Sequence, residues 1–417
     1  MPRNLVVRGG GRLCGEISAQ GGKNAVLPIL AACLLIDDTV KLYNCPDISD
    51  VKNMLLILKD LGCICNREGD VITVKAENTK SWVMPEDLSQ RLRSSFFLLG
   101  PVLGRFKKAL FTYPGGCSIG MRPIDIHLHG LRSLNVTINE SAGYIDCVAD
   151  KLEGTGIHLD YPSVGATENI MMAAVYAKGT TSIENAAQEP EIIELQNFLN
   201  RMGARISGAG TATILIEGVK KLSGGQYTIM PDRIETGTYL GAAAITGGEI
   251  IIWKSNASHL TPVITKFSQM GCNTFCGDDF ISLKAPQKLL APKRIETYPY
   301  PGFPTDMQAP FCALASVANG VTLVMENVFE NRFKHVQELN KMGANITVKR
   351  RMAIIEGVES LHGAKLVAEE VRGGASLLLA SLTAEGESII SGTDHIERGY
   401  GDFISKLISL NADVSME

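Results

Sequence analysis

Six times along this chain a helical run ends in the same short signal. The six copies are Leu61-Gly62-Cys63, Leu134-Asn135-Val136, Met202-Gly203-Ala204, Met270-Gly271-Cys272, Met342-Gly343-Ala344 and Leu410-Asn411-Ala412. Their central residues recur at spacings of 68 to 73. Gly and Asn are the residues that most readily take the left-handed conformation closing a helix. A strand reads after each signal, as in Ala204-Arg205-Ile206 and Ala344-Asn345-Ile346-Thr347-Val348. Each copy also carries a second helix rich in Ala, Gly, Ser and Leu, over 24–35, 94–103, 166–177, 237–245, 306–318 and 374–383. Such helices are apolar all round and predict burial on every side. The helix before each signal is more polar on one side, as in 191–202. The chain is thus one strand–helix–strand–helix–strand unit written six times, an α/β protein. Its 417 residues suit roughly two or three domains. Six units admit a solenoid or two closed bundles of three. Glycine-rich breaks argue against one continuous stack.

Charged residues fall at two recurring phases of the unit. One phase is the start of the buried helix, holding Lys23-Asn24, Arg93, Glu168, Asp232-Arg233 with Glu235, Asp306 and Arg372. The other lies just before the outer helix, holding Arg122-Pro123-Ile124-Asp125, Glu189-Pro190-Glu191, Arg332 and Arg398. Equivalent positions in a repeat occupy equivalent places. If units pack about an axis, these cations converge on helix N-termini, whose partial charge already favours anions. The expectation is an anion site.

The stretch 111–122, Phe-Thr-Tyr-Pro-Gly-Gly-Cys-Ser-Ile-Gly-Met-Arg, sets one thiol, Cys117, on a glycine loop that ends in Arg122. Most cysteines are buried packing residues. A thiol on such a loop suits a proton donor or nucleophile. Of the other nine cysteines, Cys14, Cys33, Cys45, Cys147 and Cys312 sit in apolar surroundings and read as core, and Cys63/Cys65 and Cys272/Cys276 lack zinc-ribbon spacing. No metal is expected, and His127 and His129 read as structural or hydrogen-bonding residues. A phosphate-binding P-loop is absent, because Ile17 and Asn24 stand where its Gly and Ser/Thr would be. The net charge of −4 excludes a broad basic surface for nucleic acid. No apolar run reaches transmembrane length, so a cytosolic protein with reduced thiols is expected. Phe303-Pro304-Thr305-Asp306 reads as a turn in which Thr305 can cap and Asp306 opens a buried helix, as dipole partner or general base.

Taken together the motifs resemble the enolpyruvyl transferases, and among them the branch that acts on UDP-N-acetylglucosamine. The matching segments begin with Gly22-Lys23-Asn24-Ala25, the loop 114–120, Arg122-Pro-Ile-Asp125, Ser163-Val-Gly-Ala-Thr167, Glu184-Asn-Ala-Ala and Glu189-Pro-Glu191. They continue through Pro231-Asp-Arg-Ile-Glu235-Thr-Gly237, Phe303-Pro-Thr-Asp306, Glu330-Asn-Arg332-Phe333 and Arg398-Gly-Tyr400, in family order. The resemblance implies a two-domain inside-out α/β barrel, each domain of three repeated βαβαββ units with pseudo-threefold symmetry. One domain would span 22–230 and the other would join 1–21 to 231–417. It implies enolpyruvyl transfer from phosphoenolpyruvate to the 3′-hydroxyl of UDP-N-acetylglucosamine, with phosphate release, in the bacterial cytoplasm and without cofactor. The sibling reaction on shikimate 3-phosphate is the alternative.

By the same resemblance, Lys23, Asn24, Arg122 and Arg398 would face phosphoenolpyruvate, with Arg332 and Arg372 adding to the clamp. Arg93, Arg122, Pro123, Ile124, Asp125, Ile126, Ser163, Val164, Gly165, Asp306 and Val328 would meet the sugar nucleotide. Cys117 would protonate C3 and Asp306 would take the hydroxyl proton, with Lys23 and Arg398 completing the catalytic set. The family's loop cysteine is also the target of the epoxide fosfomycin. Gln20-Gly21 stands where the family more usually has Ser-Gly, Glu370 where it often has Asp, and Tyr161 where some members carry Lys.

Overall fold

The computed structural model describes residues 4–113 and 124–417, apart from the side chains at 90 and 91. Cys117, Arg122 and Pro123 lie outside the described residues.

All six helix-ending signals take the same form. Gly62, Asn135, Gly203, Gly271, Gly343 and Asn411 have φ of +106°, +70°, +105°, +88°, +91° and +70°. In each case the next residue's N–H returns to the carbonyl five residues back. Examples are Cys63 to Leu58 at 2.9 Å, Ala204 to Leu199 at 3.0 Å and Ala412 to Leu407 at 2.9 Å. This closure satisfies a carbonyl that the helix end would otherwise leave unpaired. The chain then turns directly into a strand, such as Ile64–Glu68, Arg205–Ser207 or Asn345–Lys349.

The described residues form six sheets, five mixed ones of four strands and an antiparallel one of three. Two of them show the shared plan. Thr180–Glu184 pairs in parallel with Gly156–His158 and antiparallel with Thr213–Glu217. Val321–Met325 pairs in parallel with Arg294–Glu296 and antiparallel with Met352–Glu356. Each sheet turns its apolar face inward, so strands alternate as in Thr213–Glu217, where Ile214 and Ile216 are buried and their neighbours exposed.

Contacts divide the chain into two compact units. One joins residues 4–20 to 231–417. The other comprises 21–113 and 124–230. In the first, helices Arg233–Ile245, Gln308–Ser316 and Val371–Thr383 pack pairwise. Every residue of Arg233–Ile245 and Gln308–Ser316 is buried. In the second, Leu99–Phe106 packs along Val164–Ala174, and Lys23–Ala32 packs against the 3-10 turn Arg93–Leu98. The small residues in these helices let backbones approach. Gly218 and Gly357 do the same for strand ends. Both lie in the sequence Ile-Glu-Gly-Val, and a Cβ on either would overlap the carbonyl oxygen of Ala177 or Ala318. In both copies the following Val donates to the end of the buried helix, Val219 to Val175 and Val358 to Ser316, each at 2.8 Å.

One sequence expectation changes. Cys33, Cys45, Cys147 and Cys312 are buried, but Cys14 is exposed. It opens the strand Cys14–Ser18, in which only Ile17 faces inward. Burial pushes the thiols of Cys272 and Cys65 up to about 12, with Cys63 adding to the effect at Cys65. These are inert packing groups.

Candidate active site

The first unit gathers Asp306, Arg332 and Arg372. Asp306 lies in the 3-10 turn Thr305–Met307 that opens the buried helix Gln308–Ser316. Its Oδ1 accepts from Arg332 Nη2 at 2.6 Å and its Oδ2 from Arg372 Nη2 at 3.3 Å. The arginine side chains are only 3% and 5% exposed. Burial works against the Asp306 charge, but Arg372 and then Arg332 outweigh it and hold the carboxyl well below the usual carboxylate range. Arg332 Nε and Arg372 Nη1 are buried and have no hydrogen-bond partner among the described residues. Buried donors of this kind call for an explanation, and an anionic ligand supplies one.

Glu326 builds this corner, and the sequence reading missed it. It is fully buried. Its Oε1 accepts from Thr297 Oγ1 and from the backbone N–H groups of Val328 and Phe329, all at 2.9 Å. Its Oε2 accepts from Thr305 Oγ1 at 2.9 Å, and Thr305 in turn accepts from Arg332 Nη1 at 2.7 Å. Thr305 therefore does not cap its helix, since its hydroxyl is committed to Glu326 and Arg332. Glu370 caps the Arg372 helix, accepting from the N–H groups of Arg372 (2.8 Å) and Gly373. Arg398, half-buried, ends the short helix Thr393–Glu397, and Tyr400 two residues on presents its ring to Arg372 at 5.2 Å.

The second unit holds the other expected residues. Lys23 opens its helix and pairs through Nζ with Asp50 Oδ2 at 2.6 Å. Asp50 is buried in the first turn of Ser49–Asp60, another partner the sequence did not announce. Asn24 and Arg93 are half-buried at their helix starts. Three further segments meet around His127. Its ring lies edge-on to Phe96 at 5.1 Å, within the Arg93 turn. A Cβ at Gly165 would stand 2.9 Å from its Cε1. Asn169 Nδ2 lies 2.9 Å from its Nδ1. Asn169 Oδ1 accepts from Gly100 N at 2.7 Å, so its amide nitrogen is the donor and His127 carries its proton on Nε2. Burial, then the Arg93 charge, lowers the His127 pKa to about 3. A neutral imidazole thus ties the Arg93 turn, the helix Asp125–Ser133 and the Ser163–Gly165 segment together. Ser163 caps its helix by accepting from Ala166 N at 3.4 Å. Asp125 is exposed, Ile124 buried and Ile126 half-buried. Among the described residues no group of three or more His, Cys, Asp or Glu could hold a metal ion.

Glu168, one turn into the same helix, is fully buried, and neither carboxyl oxygen has a hydrogen-bond partner among the described residues. Burial first, then the charges of Glu191 and Glu189, raises its pKa well above the ordinary value and favours the protonated carboxyl. The sign of the linkage follows. A raised folded-state pKa gives stability that is complete below about pH 4.3 and is lost as pH climbs toward the folded value, at up to about 1.4 kcal/mol per unit. Glu168→Gln should therefore gain on the wild type as pH rises, seen as thermal midpoints that converge near pH 5 and separate by pH 8. Parallel curves would refute a neutral Glu168.

The crystal structure of the enolpyruvyl transferase NikO from Streptomyces tendae superposes with a TM-score of 0.90 at 26% identity, covering 100% of this chain and 99% of that one. EPSP synthase from Acinetobacter baumannii shares the fold at a TM-score of 0.75 and 20% identity, over the full length of both chains. The fold is that of the enolpyruvyl transferases. The model of the EPSP synthase (3-phosphoshikimate 1-carboxyvinyltransferase) family matches residues 7–407. UDP-N-acetylglucosamine 1-carboxyvinyltransferase 2 of Caldanaerobacter subterraneus subsp. tengcongensis is 50% identical over 408 residues, 98% of each chain. The UDP-N-acetylglucosamine 1-carboxyvinyltransferase of Myxococcus xanthus is 45% identical over 416 residues, 99% of each chain. The chain belongs to the EPSP synthase family, in its UDP-N-acetylglucosamine 1-carboxyvinyltransferase branch. No helix among the described residues is long and apolar enough to cross a membrane.

Proposed function

We propose that this chain transfers the enolpyruvyl group of phosphoenolpyruvate to the 3′-hydroxyl of UDP-N-acetylglucosamine and releases phosphate, the first committed step of peptidoglycan precursor synthesis. The observation that carries the reading is the Asp306–Arg332–Arg372 cluster, whose buried guanidinium groups retain unused donors beside an ionised carboxylate. Relatives named for this reaction support it at 45–50% identity. The two units correspond in this reading to two enolpyruvyl transferase domains, 22–230 and 1–21 with 231–417. Each would be an inside-out α/β barrel of three pseudo-threefold repeats, working in the bacterial cytoplasm.

Phosphoenolpyruvate carries a phosphate and a carboxylate. Lys23, Asn24, Arg122 and Arg398 would hold these groups, with Arg332 and Arg372 extending the clamp through bidentate guanidinium contacts. Arg93, residues 122–126, Ser163–Gly165, Asp306 and Val328 would seat the sugar nucleotide. The 3′-oxygen attacks C2 while the Cys117 thiol gives its proton to C3, forming a tetrahedral adduct. The adduct then returns a proton from C3 to the Cys117 thiolate as the C2–O bond to phosphate breaks, which restores the enol and the thiol. Asp306 receives the hydroxyl proton. Its arginine partners make it a weak base, so the proton must leave as the new C–O bond forms and not before.

Phosphate release is the test. Turnover should require both phosphoenolpyruvate and UDP-N-acetylglucosamine, and release with shikimate 3-phosphate alone as acceptor would overturn the reading. Cys117→Ser should lose about a hundredfold or more in turnover. Cys117→Asp, which keeps an acid, should retain activity and escape alkylation by fosfomycin.

A further inference from the structure

We propose that Gln20 is a positioning residue for Arg398, acting by clamping the loop 398–401 from both sides. This rests on the reading of Arg398 as a phosphoenolpyruvate contact. Gln20 closes the first segment of its unit, and both ends of its side-chain amide bond to that loop. Nε2 donates to the carbonyl of Gly399 at 3.2 Å, and Oε1 accepts from the N–H of Gly401 at 3.1 Å. The two peptide groups flanking Tyr400 are thereby fixed at once. Tyr400 is pinned separately, its hydroxyl 3.0 Å from Thr238 Oγ1. A Cβ at Gly399 would come within 2.6 Å of Val371 Cγ1, so the loop cannot retreat on that side. Arg398 is the residue immediately before the first clamped carbonyl.

The clamp is itself anchored. Gln20 N donates to Glu235 Oε2 at 2.8 Å, and Gln20 O accepts from Asp232 N at 2.8 Å. Glu235 is fully buried, and its Oε1 pairs with Lys406 Nζ at 2.6 Å. Lys406 belongs to Phe403–Ser409, the helix that leaves the loop. A closed ring therefore runs from Gln20 through Glu235 and Lys406 back to the loop it holds. Nothing in it needs to touch substrate. Its effect is to place the backbone from which the Arg398 side chain extends, and a guanidinium clamp loses its bidentate fit on small displacements.

Gln20→Met keeps the length of the side chain and removes both hydrogen bonds. It should raise KM for phosphoenolpyruvate and lower kcat/KM for it about ten- to thirtyfold, with KM for UDP-N-acetylglucosamine changed less than about twofold. Gln20→Glu, which keeps the acceptor for Gly401 but not the donor for Gly399, should fall between. The deciding measurement is the cycle with Arg398→Ala. If Gln20 acts through Arg398, Gln20→Met should lose little further activity in the Arg398→Ala background. Losses that multiply, or an unimpaired Gln20→Met enzyme alongside an impaired Arg398→Ala enzyme, would overturn the clamp. A fully active Arg398→Ala enzyme would instead overturn the reading beneath it.

Discussion

Asp306→Ala is expected to cost about 3–5 kcal/mol of stability and to lower turnover by about a thousandfold or more. The two effects have one origin. Arg332 and Arg372 are all but excluded from water and share this single carboxylate. Removing it leaves two buried like charges facing each other, and Thr305 is a neutral partner for only one of them. Asp306→Asn should be as inactive, because an amide cannot accept the hydroxyl proton. The stability term also has a pH signature. A depressed folded-state pKa gives stability that is complete above about pH 4 and is lost as acid protonates the carboxylate below that. Wild type should therefore lose its advantage over Asp306→Asn as pH falls from about 4 toward 2. Chemical unfolding of the triple replacement Asp306→Leu, Arg332→Met, Arg372→Met separates charge from packing. It should recover much of the lost stability while staying inactive. An Asp306→Ala protein within about 0.5 kcal/mol of wild type, or one that still turns over, would show that the cluster does not work this way.

Gly357→Ala and Gly218→Ala are expected to destabilise their units by about 3 kcal/mol or more each. At both positions the added methyl would enter the carbonyl oxygen at the end of a buried helix, and neither strand nor helix can yield alone. The Gly218 N–H to Gly179 and the Gly357 N–H to Gly320 bonds, 2.9 and 3.0 Å, would be strained together with the valine bonds that follow. Gly156→Ala is the control. It too lies in a strand, but its nearest neighbour would be Ser182 Oγ at 3.4 Å, so a change within about 1 kcal/mol is expected. Equal losses at all three glycines would reduce the effect to backbone entropy and remove the close-approach argument.

How much of this could be read in the sequence depended on the range of the interaction. The six helix stops were legible because their chemistry is contained within a few residues, and the left-handed Gly or Asn is visible by type. The buried helices were legible by composition. The pairing of Ile-Glu-Gly-Val strand ends with helix ends was written twice in the sequence, at 216–219 and 355–358, but its meaning appears only when the helix carbonyl is in place. Within the candidate site the cations at helix starts stood out, whereas the groups that hold them did not. Asp50 supports Lys23, and Glu326 supports Thr305 and Thr297, across sequence separations that carry no pattern. Gln20 reaches a loop 379 residues away. Thr305 looked like a cap because its local sequence suits one, and a remote carboxylate claimed its hydroxyl instead.

The order of strands has a consequence for how a ribosome must deliver this chain. Cys14–Ser18 finds its neighbour only at Glu249–Trp253, and Leu5–Arg8 lies between Glu387–Ser391 and Asp413–Met416. The intervening 21–230 segment draws its described strand pairings from within itself. It can therefore mature on the emerging chain while the leading strands wait unpaired, for roughly ten seconds or more at ordinary elongation rates before even the first partner is made. Exposed strand edges invite wrong partners. Arg8, Arg12 and Glu16, together with the run Gly9-Gly10-Gly11, make that waiting segment a poor template for aggregation.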